Sequence, residues 1–366
     1  MRRTLLAAAT LAAATGLATT AIGHDDDGPR PLRPDATWTT VFTPPAGVGI
    51  EGLTADKRGV LYAPGRVTGA PCPVFKAGTG VVGTLPAPCN PAGLAFGPDG
   101  RLYIADNGKI MVLRPNDRTP PTAEVYAEGV PGSNGVAWDE RGDLWVSDGG
   151  TGQGRVWRIG RDRVPVEALR VQPMASDALP GGVGRDVRGL PPGTITITET
   201  SRAASNTLGS QAIVANGLAF GRDGTLFIAD TARGAIWRVF IDRRGRILSK
   251  TGCDTTFAAN TLCLDNVLVQ HPYLDGADGI VLDGEGTIFV AANERNAMIA
   301  VTEKGRAVEL YRNAAGADRL RNVGPLEFPT SPVLVGKRLC TTSSDTARRD
   351  NFPATPGQGP KINCVS

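Results

Sequence analysis

The chain has 366 residues, of which 20% are charged and 41% hydrophobic, and its formal net charge is +3. This near-neutral balance argues against a nucleic-acid-binding domain and against attraction to an anionic membrane, so neither is expected as a partner. The 47 glycines are typical of a turn-rich, all-β protein.

The first 23 residues have the pattern of a secretory signal peptide. Arg2 and Arg3 precede a Leu/Ala-rich run at 5–18, and small residues lead to an expected cleavage after Gly23. The apolar run is shorter than a bilayer span, which argues against a membrane anchor. We therefore expect a secreted, extracellular protein whose mature chain begins with a charged, proline-rich, disordered tail at 24–36.

One fifteen-residue pattern occurs five times without gaps, starting at Glu51, Ala92, Asn134, Asn216 and Asp278. Every copy has Gly at its second and ninth positions and an aromatic residue at its twelfth. Two short apolar runs around a Gly-containing turn predict a β-hairpin, and a third apolar run follows in most copies. The glycines Gly52, Gly93 and Gly135 are spaced by 41 and 42 residues, about the length of one four-stranded propeller blade.

The number of copies predicts the number of blades. A degenerate sixth copy lies at 329–344, and the segment 37–42 alternates like a strand. The expected fold is an all-β, six-bladed β-propeller closed by this N-terminal strand, because such closure removes a free sheet edge. The propeller forms a single domain at 37–366, expected to be monomeric, with a Pro/Gly-rich insert around 161–211.

The exported chain contains six cysteines: Cys72, Cys89, Cys253, Cys263, Cys340 and Cys364. An even count in an oxidising compartment indicates disulfides, with fifteen pairings possible for six cysteines. Sequential pairing is the local choice, since each bond would clip one loop or tie down the C-terminal tail. A thiolate metal site is the alternative, but no Cys-x-x-Cys spacing exists and the chain has only 2 histidines.

The first positions of the repeat carry the candidate site. In a propeller, equivalent residues at the start of the innermost strands form a ring at one end of the central channel. The oxygen-bearing residues of this ring are Glu51, Asn134, Asn216 and Asp278. Two carboxylates and two amides suit one hard divalent cation, Ca²⁺ before Mg²⁺ or Mn²⁺, with Zn²⁺ as a further alternative.

These residues also have structural interpretations. Asn before Gly is a common turn pair, whereas Glu51 and Asp278 replace Asn and keep its place, which favours a ligand role. Short carboxylates at strand ends usually accept hydrogen bonds from backbone N–H groups of loops. At most they orient a metal-binding side chain through a hydrogen bond. Such residues stand at or just after the fifteenth positions: Asp106, Asp148 and Asp230, with Asn293 and Glu294 following the fifth copy.

The ordered set Glu51-Gly52, Asn134-Gly135, Asn216-Gly217 and Asp278-Gly279 resembles the gluconolactonase, regucalcin and senescence-marker-protein family over about residues 38–345. The resemblance implies a six-bladed propeller that binds a divalent metal through Glu51, Asn216 and Asp278. By the same resemblance, Asn134 would face both the metal and the substrate. Members of the family open lactones or related cyclic esters. Sugar-lactone members usually carry an arginine two residues before the third-blade Asn, where this chain has Gly132.

The resulting hypothesis is a secreted, metal-dependent hydrolase that opens a small-molecule lactone or related ester. A cation would polarise the carbonyl and lower the pKa of water. Asp278 would take the proton, and Asn134 would orient the carbonyl or stabilise the oxyanion. The alternative is a non-catalytic secreted propeller that serves as a binding platform, its divalent ion being structural.

Overall fold

A computed structural model describes residues 24–25, 28–33, 35–172, 211, 213–255, 257–316, 321–346, 350 and 357–366. Within these ranges the chain forms six antiparallel blades of four strands each, counting the split inner strand of blade 1 once. The predicted six-bladed β-propeller is therefore confirmed. The predicted signal peptide at 1–23 and residues 173–210 of the predicted insert lie outside the described residues.

The strands of each blade follow one another from the channel outwards, except in blade 6. Blade 1 comprises the split inner strand Gly49–Ile50 and Thr54–Ala55, then Leu61–Arg66, Cys72–Lys76 and Gly80–Leu85. Blade 2 comprises Pro91–Phe96, Leu102–Asp106, Lys109–Leu113 and Glu124–Glu128. Blade 3 comprises Ser133–Trp138, Leu144–Asp148, Arg155–Ile159 and Pro165–Arg170.

The second half of the chain repeats this order. Blade 4 comprises Leu218–Phe220, Leu226–Asp230, Ala235–Val239 and Val267–Gln270. Blade 5 comprises Ala277–Leu282, Ile288–Ala292, Ala297–Val301 and Ala307–Arg312. Blade 6 comprises Pro329–Val335, Arg338–Ser343, Lys361–Val365 and the N-terminal strand Trp38–Phe42. The remaining elements are a short hairpin, His24–Asp25 with Gly28–Pro29, and the 3-10 helices Leu264–Asn266, Pro272–Leu274 and Asn293–Arg295.

The hairpin turns explain the ninth position of the repeat. Its glycines all have a positive backbone φ, between +73° and +85°, which is unfavourable for a residue that carries a Cβ. They are Gly59, Gly100, Gly142, Gly224 and Gly286. An aspartate completes the turn, as where Asp99 Oδ1 accepts the backbone N–H of Arg101 at 3.0 Å. These turns lie at one end of the propeller, and the first positions of the repeat lie at the other.

The second-position glycines allow neighbouring blades to approach closely around the channel. A Cβ on Gly93 would lie 2.5 Å from the carbonyl oxygen of Asn134, and one on Gly217 would lie 2.5 Å from that of Asp278. Side chains do not tolerate such contacts, so any larger residue would force the blades apart. Gly52, Gly135 and Gly279 lie against Ala92, Asn216 and Thr330 in the same way. First-position residues of successive blades are therefore neighbours.

Six apolar clusters hold the ring together, one at each contact between neighbouring blades. The twelfth-position aromatic residues belong to these clusters. Tyr103 packs edge-on against Trp138 of the next blade with ring centroids 4.8 Å apart, and Trp145 packs against Phe220 at 5.8 Å. Burial of a large apolar side chain stabilises a fold by about 1.5–3 kcal/mol, so these contacts are a main source of cohesion between blades.

The N-terminal strand closes the propeller, as predicted. Trp38–Phe42 is the outer strand of blade 6 and pairs antiparallel with the C-terminal strand Lys361–Val365. A disulfide between Cys340 and Cys364 joins the second and third strands of the same blade. The N-terminal strand Trp38–Phe42 and the C-terminal strand Lys361–Val365 thereby lie in one sheet.

The disulfides confirm the sequential pairing. Besides the bond in blade 6, Cys72 bonds to Cys89 with Cα atoms 6.1 Å apart, and Cys253 bonds to Cys263 with Cα atoms 5.5 Å apart. No cysteine of the described chain is left for a thiolate metal site. Three disulfides are typical of proteins from an oxidising compartment. No helix in the described part of the chain is long and apolar enough to span a membrane.

The segment before the closing strand differs from the disordered tail expected at 24–36. Leu32 is 7% exposed and packs in the cluster between blades 5 and 6. Its backbone N–H donates to the carbonyl of Leu310 at 2.8 Å. The expectation of disorder followed from the charged and proline-rich composition and did not take Leu32 into account. This buried apolar side chain holds the segment against the outer strand of blade 5.

Candidate functional site at the channel mouth

The first-position residues form one ring at an end of the central channel, and hydrogen bonds connect them across blades. The backbone N–H of Gly217 donates to the carbonyl of Asp278 at 3.1 Å. Thr330 Oγ1 donates to the carbonyl of Glu51 at 2.7 Å, which joins blade 6 to blade 1. The order around the ring is Glu51, Ala92, Asn134, Asn216, Asp278 and Thr330. The four candidate ligands therefore belong to a single ring.

Asp278 lies in a buried, polar part of this ring and is 6% exposed. Its Oδ2 accepts a hydrogen bond from Asn293 Nδ2 at 2.8 Å, and the side chain of Asn216 lies close enough to favour the charged form of its carboxyl group. Burial raises the pKa of the Asp278 carboxyl well above its usual range, and the nearby negative charge of Glu51 raises it further. Two carboxyl groups approach each other here, and a cation between them would offset their repulsion.

Each candidate ligand meets the side chain or backbone fifteen residues further on, at the sixteenth position of the repeat. The four pairs are Glu51 with Arg66, Asn134 with Gly149, Asn216 with Thr231 and Asp278 with Asn293. Asn216 Nδ2, for example, donates to Thr231 Oγ1 at 3.0 Å. The fifteen-residue pattern stops one position short of these partners, so of the four only Asn293 was noted from the sequence, and Arg66, Gly149 and Thr231 were missed. Extending it by one residue would have shown a polar residue or glycine after every returning strand.

Arg66 is the most important of the missed residues. It forms an ion pair with Glu51 through Nη2, and its Nε donates to the carbonyl of Pro91 at 2.7 Å. Its side chain is 34% exposed, against 15% for that of Glu51. The strand Leu61–Arg66 thus ends by placing a cation at the channel mouth.

A cavity of about 400 Å³ opens beside this ion pair. Its polar lining residues are Arg66, Asn90, Asn107, Ser133, Asn134 and Thr151. The Asn134 amide fills space left by Gly149, since a Cβ there would lie 2.4 Å from Asn134 Nδ2. Asn134 therefore lies on the ring and faces this cavity. Glu51 and Asn216 instead lie near the carboxyl group of Asp278, where both influence its pKa.

Gly132 closes one wall of the cavity. Its φ is +70°, and a Cβ at this position would lie 1.9 Å from Asp148 Oδ1. An arginine side chain does not fit at this position of blade 3. The positively charged side chain at the channel mouth is Arg66 of blade 1.

The fifteenth-position aspartates accept backbone N–H groups of loops, as expected. Asp106 Oδ1 accepts Asn90 N at 2.6 Å, and Asp230 Oδ1 accepts Arg233 N at 2.9 Å. Burial raises the pKa of the Asp106 carboxyl and that of the Asp230 carboxyl. Asp148 likewise accepts a loop N–H at 3.0 Å and pairs with Arg155. These carboxylates shape the loops around the mouth.

Asn293 connects the ring residue Asp278 to two further buried polar side chains, those of Gln211 and Glu294. Its Oδ1 accepts a hydrogen bond from Gln211 Nε2 at 3.0 Å, and the same Nε2 lies 3.1 Å from Glu294 Oε1. Gln211 is 8% exposed, Asn293 is 1% exposed and Glu294 is fully buried. The amide of Asn293 is thereby oriented with its N–H group towards Asp278.

The ring has the donor atoms that a hard divalent cation requires. No cluster of three or more His, Cys, Asp or Glu residues occurs in the described ranges, so a cation in this protein would need amide oxygens as well as carboxylates. Glu51, Asn216 and Asp278 offer both kinds of oxygen in one contact group, in which Asn216 and Asp278 are buried and Glu51 is partly exposed. Oxygen-only donor sets suit Ca²⁺, Mg²⁺ and Mn²⁺. The residues present therefore fit such an ion.

A family model described as "SMP-30/Gluconolactonase/LRE-like region" matches residues 51–342. The chain belongs to the SMP-30/gluconolactonase/LRE-like family. It is therefore a lactonase-like propeller, and the matched range begins at the first ring residue, Glu51. A search against curated protein sequences finds no match.

Solved structures share the propeller of this SMP-30/gluconolactonase/LRE-like chain. A luciferin-regenerating enzyme is 15% identical, with 90% of this chain and 95% of that chain covered and a TM-score of 0.57. Regucalcin, a calcium-binding protein from Agrobacterium tumefaciens, is 18% identical, with 88% of this chain and 93% of that chain covered and a TM-score of 0.55. A gluconolactonase from Xanthomonas campestris is 14% identical over 94% of each chain, also with a TM-score of 0.55. At these identities the likeness shows the fold alone.

Proposed function

We propose that the protein is a secreted, metal-dependent hydrolase that opens a small-molecule lactone or related cyclic ester. The observation that supports this most is the contact group of Glu51, Asn216 and Asp278, which lies at the channel mouth near a cavity lined by Asn134. A cavity of about 400 Å³ has the volume of a small-ligand pocket. Membership of the lactonase-like family supports the same reaction class.

In this proposal Glu51, Asn134, Asn216 and Asp278 hold one divalent cation, Ca²⁺ in the first place and Mg²⁺, Mn²⁺ or Zn²⁺ as alternatives. The bound cation would supply Lewis-acid polarisation of the ester carbonyl and acidification of a water molecule. This role depends on donor chemistry, since both carboxylates and both amides offer the oxygen ligands that hard cations bind.

The protein groups have distinct tasks in the proposed reaction. Asp278 accepts the proton of the attacking water, and Asn293 holds Asp278 Oδ2 at 2.8 Å so that the carboxylate keeps one orientation. Asn134 faces the cavity, where its amide N–H group would stabilise the oxyanion that develops on the substrate. The bond between the carbonyl carbon and the ring oxygen then breaks, and that oxygen takes the proton from Asp278 and becomes the alcohol of the ring-opened hydroxy acid.

A panel of lactones assayed with and without a chelator tests this proposal. We expect turnover that chelation abolishes and added Ca²⁺ restores, and an Asp278→Asn variant with kcat/KM at least about a hundredfold lower. Asp283→Asn is the matched control, because Asp283 lies in the turn at the other end of the same hairpin. The proposal fails if no lactone or ester is hydrolysed under any divalent metal.

Export is part of the proposal and has its own test. The three disulfides support an oxidising destination. N-terminal sequencing of the protein from the culture medium should begin at His24, directly after the expected cleavage. Retention of the uncleaved chain in the cytosol would contradict it.

A binding platform with a structural ion is the second candidate. It is favoured by a larger cavity of about 1320 Å³ at the hairpin-turn end, whose lining includes Tyr62, Tyr103, Tyr126 and Trp138. In that case chelation would lower thermal stability and no lactone would turn over. The chelator experiment therefore separates the two candidates, and size-exclusion chromatography with light scattering tests the expected monomer.

A further inference from the structure

The cavity at the channel mouth has an asymmetric charge. Of the described residues that line it, Arg66 alone is charged. The other polar lining groups are amides and hydroxyls, contributed by Asn90, Asn107, Asn134 and Thr151 among others. The nearby carboxylates Asp106 and Asp148 are not among the lining residues and are bonded to loop N–H groups. A ligand in this cavity therefore meets one cation and no carboxylate in the wall.

The guanidinium of Arg66 is held in a defined orientation. Nε is bonded to the Pro91 carbonyl and Nη2 is paired with Glu51. These two contacts fix the plane of the group and leave Nη1 without a hydrogen bond to the described residues. A planar, oriented guanidinium recognises carboxylates better than a flexible ammonium group does.

The partner of Arg66 is also a proposed metal ligand. When a dication neutralises Glu51 and Asp278, the positive charge of Arg66 is no longer compensated by Glu51. The loaded site then favours a ligand that brings a negative charge of its own. An isolated structural ion pair would show no such dependence, because Glu51 would continue to compensate the charge of Arg66.

We propose that Arg66 is a specificity-determining residue that selects substrates carrying an anionic group, such as a carboxylate, in addition to the ester that is cleaved. This inference rests on the proposed lactonase function. Arg66 binds the anionic group in the cavity, while the ester carbonyl lies towards the ring at Asn134 and Asp278. The substrate class is therefore an acidic lactone, such as the lactone of an aldaric acid.

A matched pair of substrates provides the test. D-Glucaro-1,4-lactone carries a carboxylate where D-glucono-1,4-lactone carries a hydroxymethyl group. With Ca²⁺ present, we expect kcat/KM to be roughly tenfold to a hundredfold higher for the acidic lactone, mainly through a lower KM. Arg66→Gln should abolish this preference, and Arg66→Lys should retain part of it. Lys109→Gln is the charge control, because Lys109 is exposed near the mouth and is not among the lining residues.

Calorimetry separates this inference from the proposed function. Ca²⁺-loaded wild-type protein should bind glucarate more tightly than gluconate, and Arg66→Gln should bind both equally. If neither lactone is hydrolysed but this binding difference persists, the lactonase proposal fails and the role of Arg66 stands. If Arg66→Gln changes only Ca²⁺ affinity and leaves the preference for the acidic ligand unchanged, Arg66 is a counter-ion of Glu51 and the inference is wrong. Equal binding of both anions by the wild-type protein would overturn it as well.

Discussion

Asn293, which directly follows the returning strand of blade 5, donates a hydrogen bond at 2.8 Å to Asp278 on the inner strand of that blade. The same separation of fifteen residues links Glu51 to Arg66 and Asn216 to Thr231. Blades 1, 4 and 5 thus each pair a ring residue with a supporting residue that stands at or just after the end of the returning strand. The site is built from this pair, repeated around the channel.

Replacing Asn293 by alanine should weaken cation binding without changing the ligands themselves. Loss of a group that orients a ligand typically lowers metal affinity by about 10–100-fold, and titration calorimetry with Ca²⁺ measures this directly. Asn107→Gly is the matched control, since Asn107 has the equivalent position in blade 2, where the ring residue is Ala92, and its φ of +48° suits glycine. Equal losses in both variants would show that the effect is not specific to Asp278.

A methyl group on Gly217 should destabilise the propeller at its axis. The added Cβ would lie 2.5 Å from the carbonyl oxygen of Asp278, and overpacking of this kind costs about 1–3 kcal/mol of unfolding free energy. Gly49→Ala is the control, because its nearest neighbour would be the Arg66 Cβ at 3.8 Å. Denaturant unfolding of both variants checks the prediction, which is wrong if the two are equally stable.

Removing the disulfide of blade 6 should loosen the closure of the ring. The double variant Cys340→Ala/Cys364→Ala is expected to lose about 2–4 kcal/mol of unfolding free energy. Hydrogen exchange should accelerate in Trp38–Phe42, because its one partner strand among the described residues is the strand that carries Cys364. Cys253→Ala/Cys263→Ala should leave exchange in this strand unchanged, since its bond lies in a loop of blade 4. Acceleration in both variants would contradict the assignment.

Tyr103 should make stability fall at high pH. Burial, together with its hydrogen bond to Asp99, raises the pKa of Tyr103 to about 12. Because the folded protein retains this proton more strongly than the unfolded chain does, the contribution is complete below about pH 10 and is lost as the pH rises towards 12. The stability advantage of the wild type over Tyr103→Phe should therefore shrink above pH 10 by up to about 1.4 kcal/mol per pH unit. A constant difference from pH 9 to pH 11 would contradict this.

The fold could be predicted from the sequence because each repeat encodes its own hairpin. The glycines with positive φ, such as Gly100, and the aromatic residues between blades, such as Tyr103, recur at fixed positions. The degenerate sixth blade was recognisable by strand pattern alone. At its ring position Thr330 donates a hydrogen bond from its hydroxyl group to the Glu51 carbonyl. The other five copies have no hydroxyl group at this position, so the repeat pattern does not predict this contact.

The candidate site was less accessible to sequence reasoning. Ring membership follows from the repeat, but the contacts of Arg66 depend on how the strand Leu61–Arg66 ends and on the neighbouring blade that supplies Pro91. The pattern also does not show that Asn134 faces the cavity while Asn216 contacts Asp278. Such differences arise from packing between blades, which a single repeat does not encode.

In the proposed site, one divalent cation binds between Glu51, Asn216 and Asp278, with Asn134 on the same ring. Anomalous diffraction data from a crystal soaked in Mn²⁺ would locate this cation. We expect a single strong anomalous peak at the channel mouth within bonding distance of these side-chain oxygens, and a Ca²⁺ complex with oxygen ligands at about 2.3–2.6 Å. The absence of a peak at the ring, or a peak only at the hairpin-turn end, would contradict it.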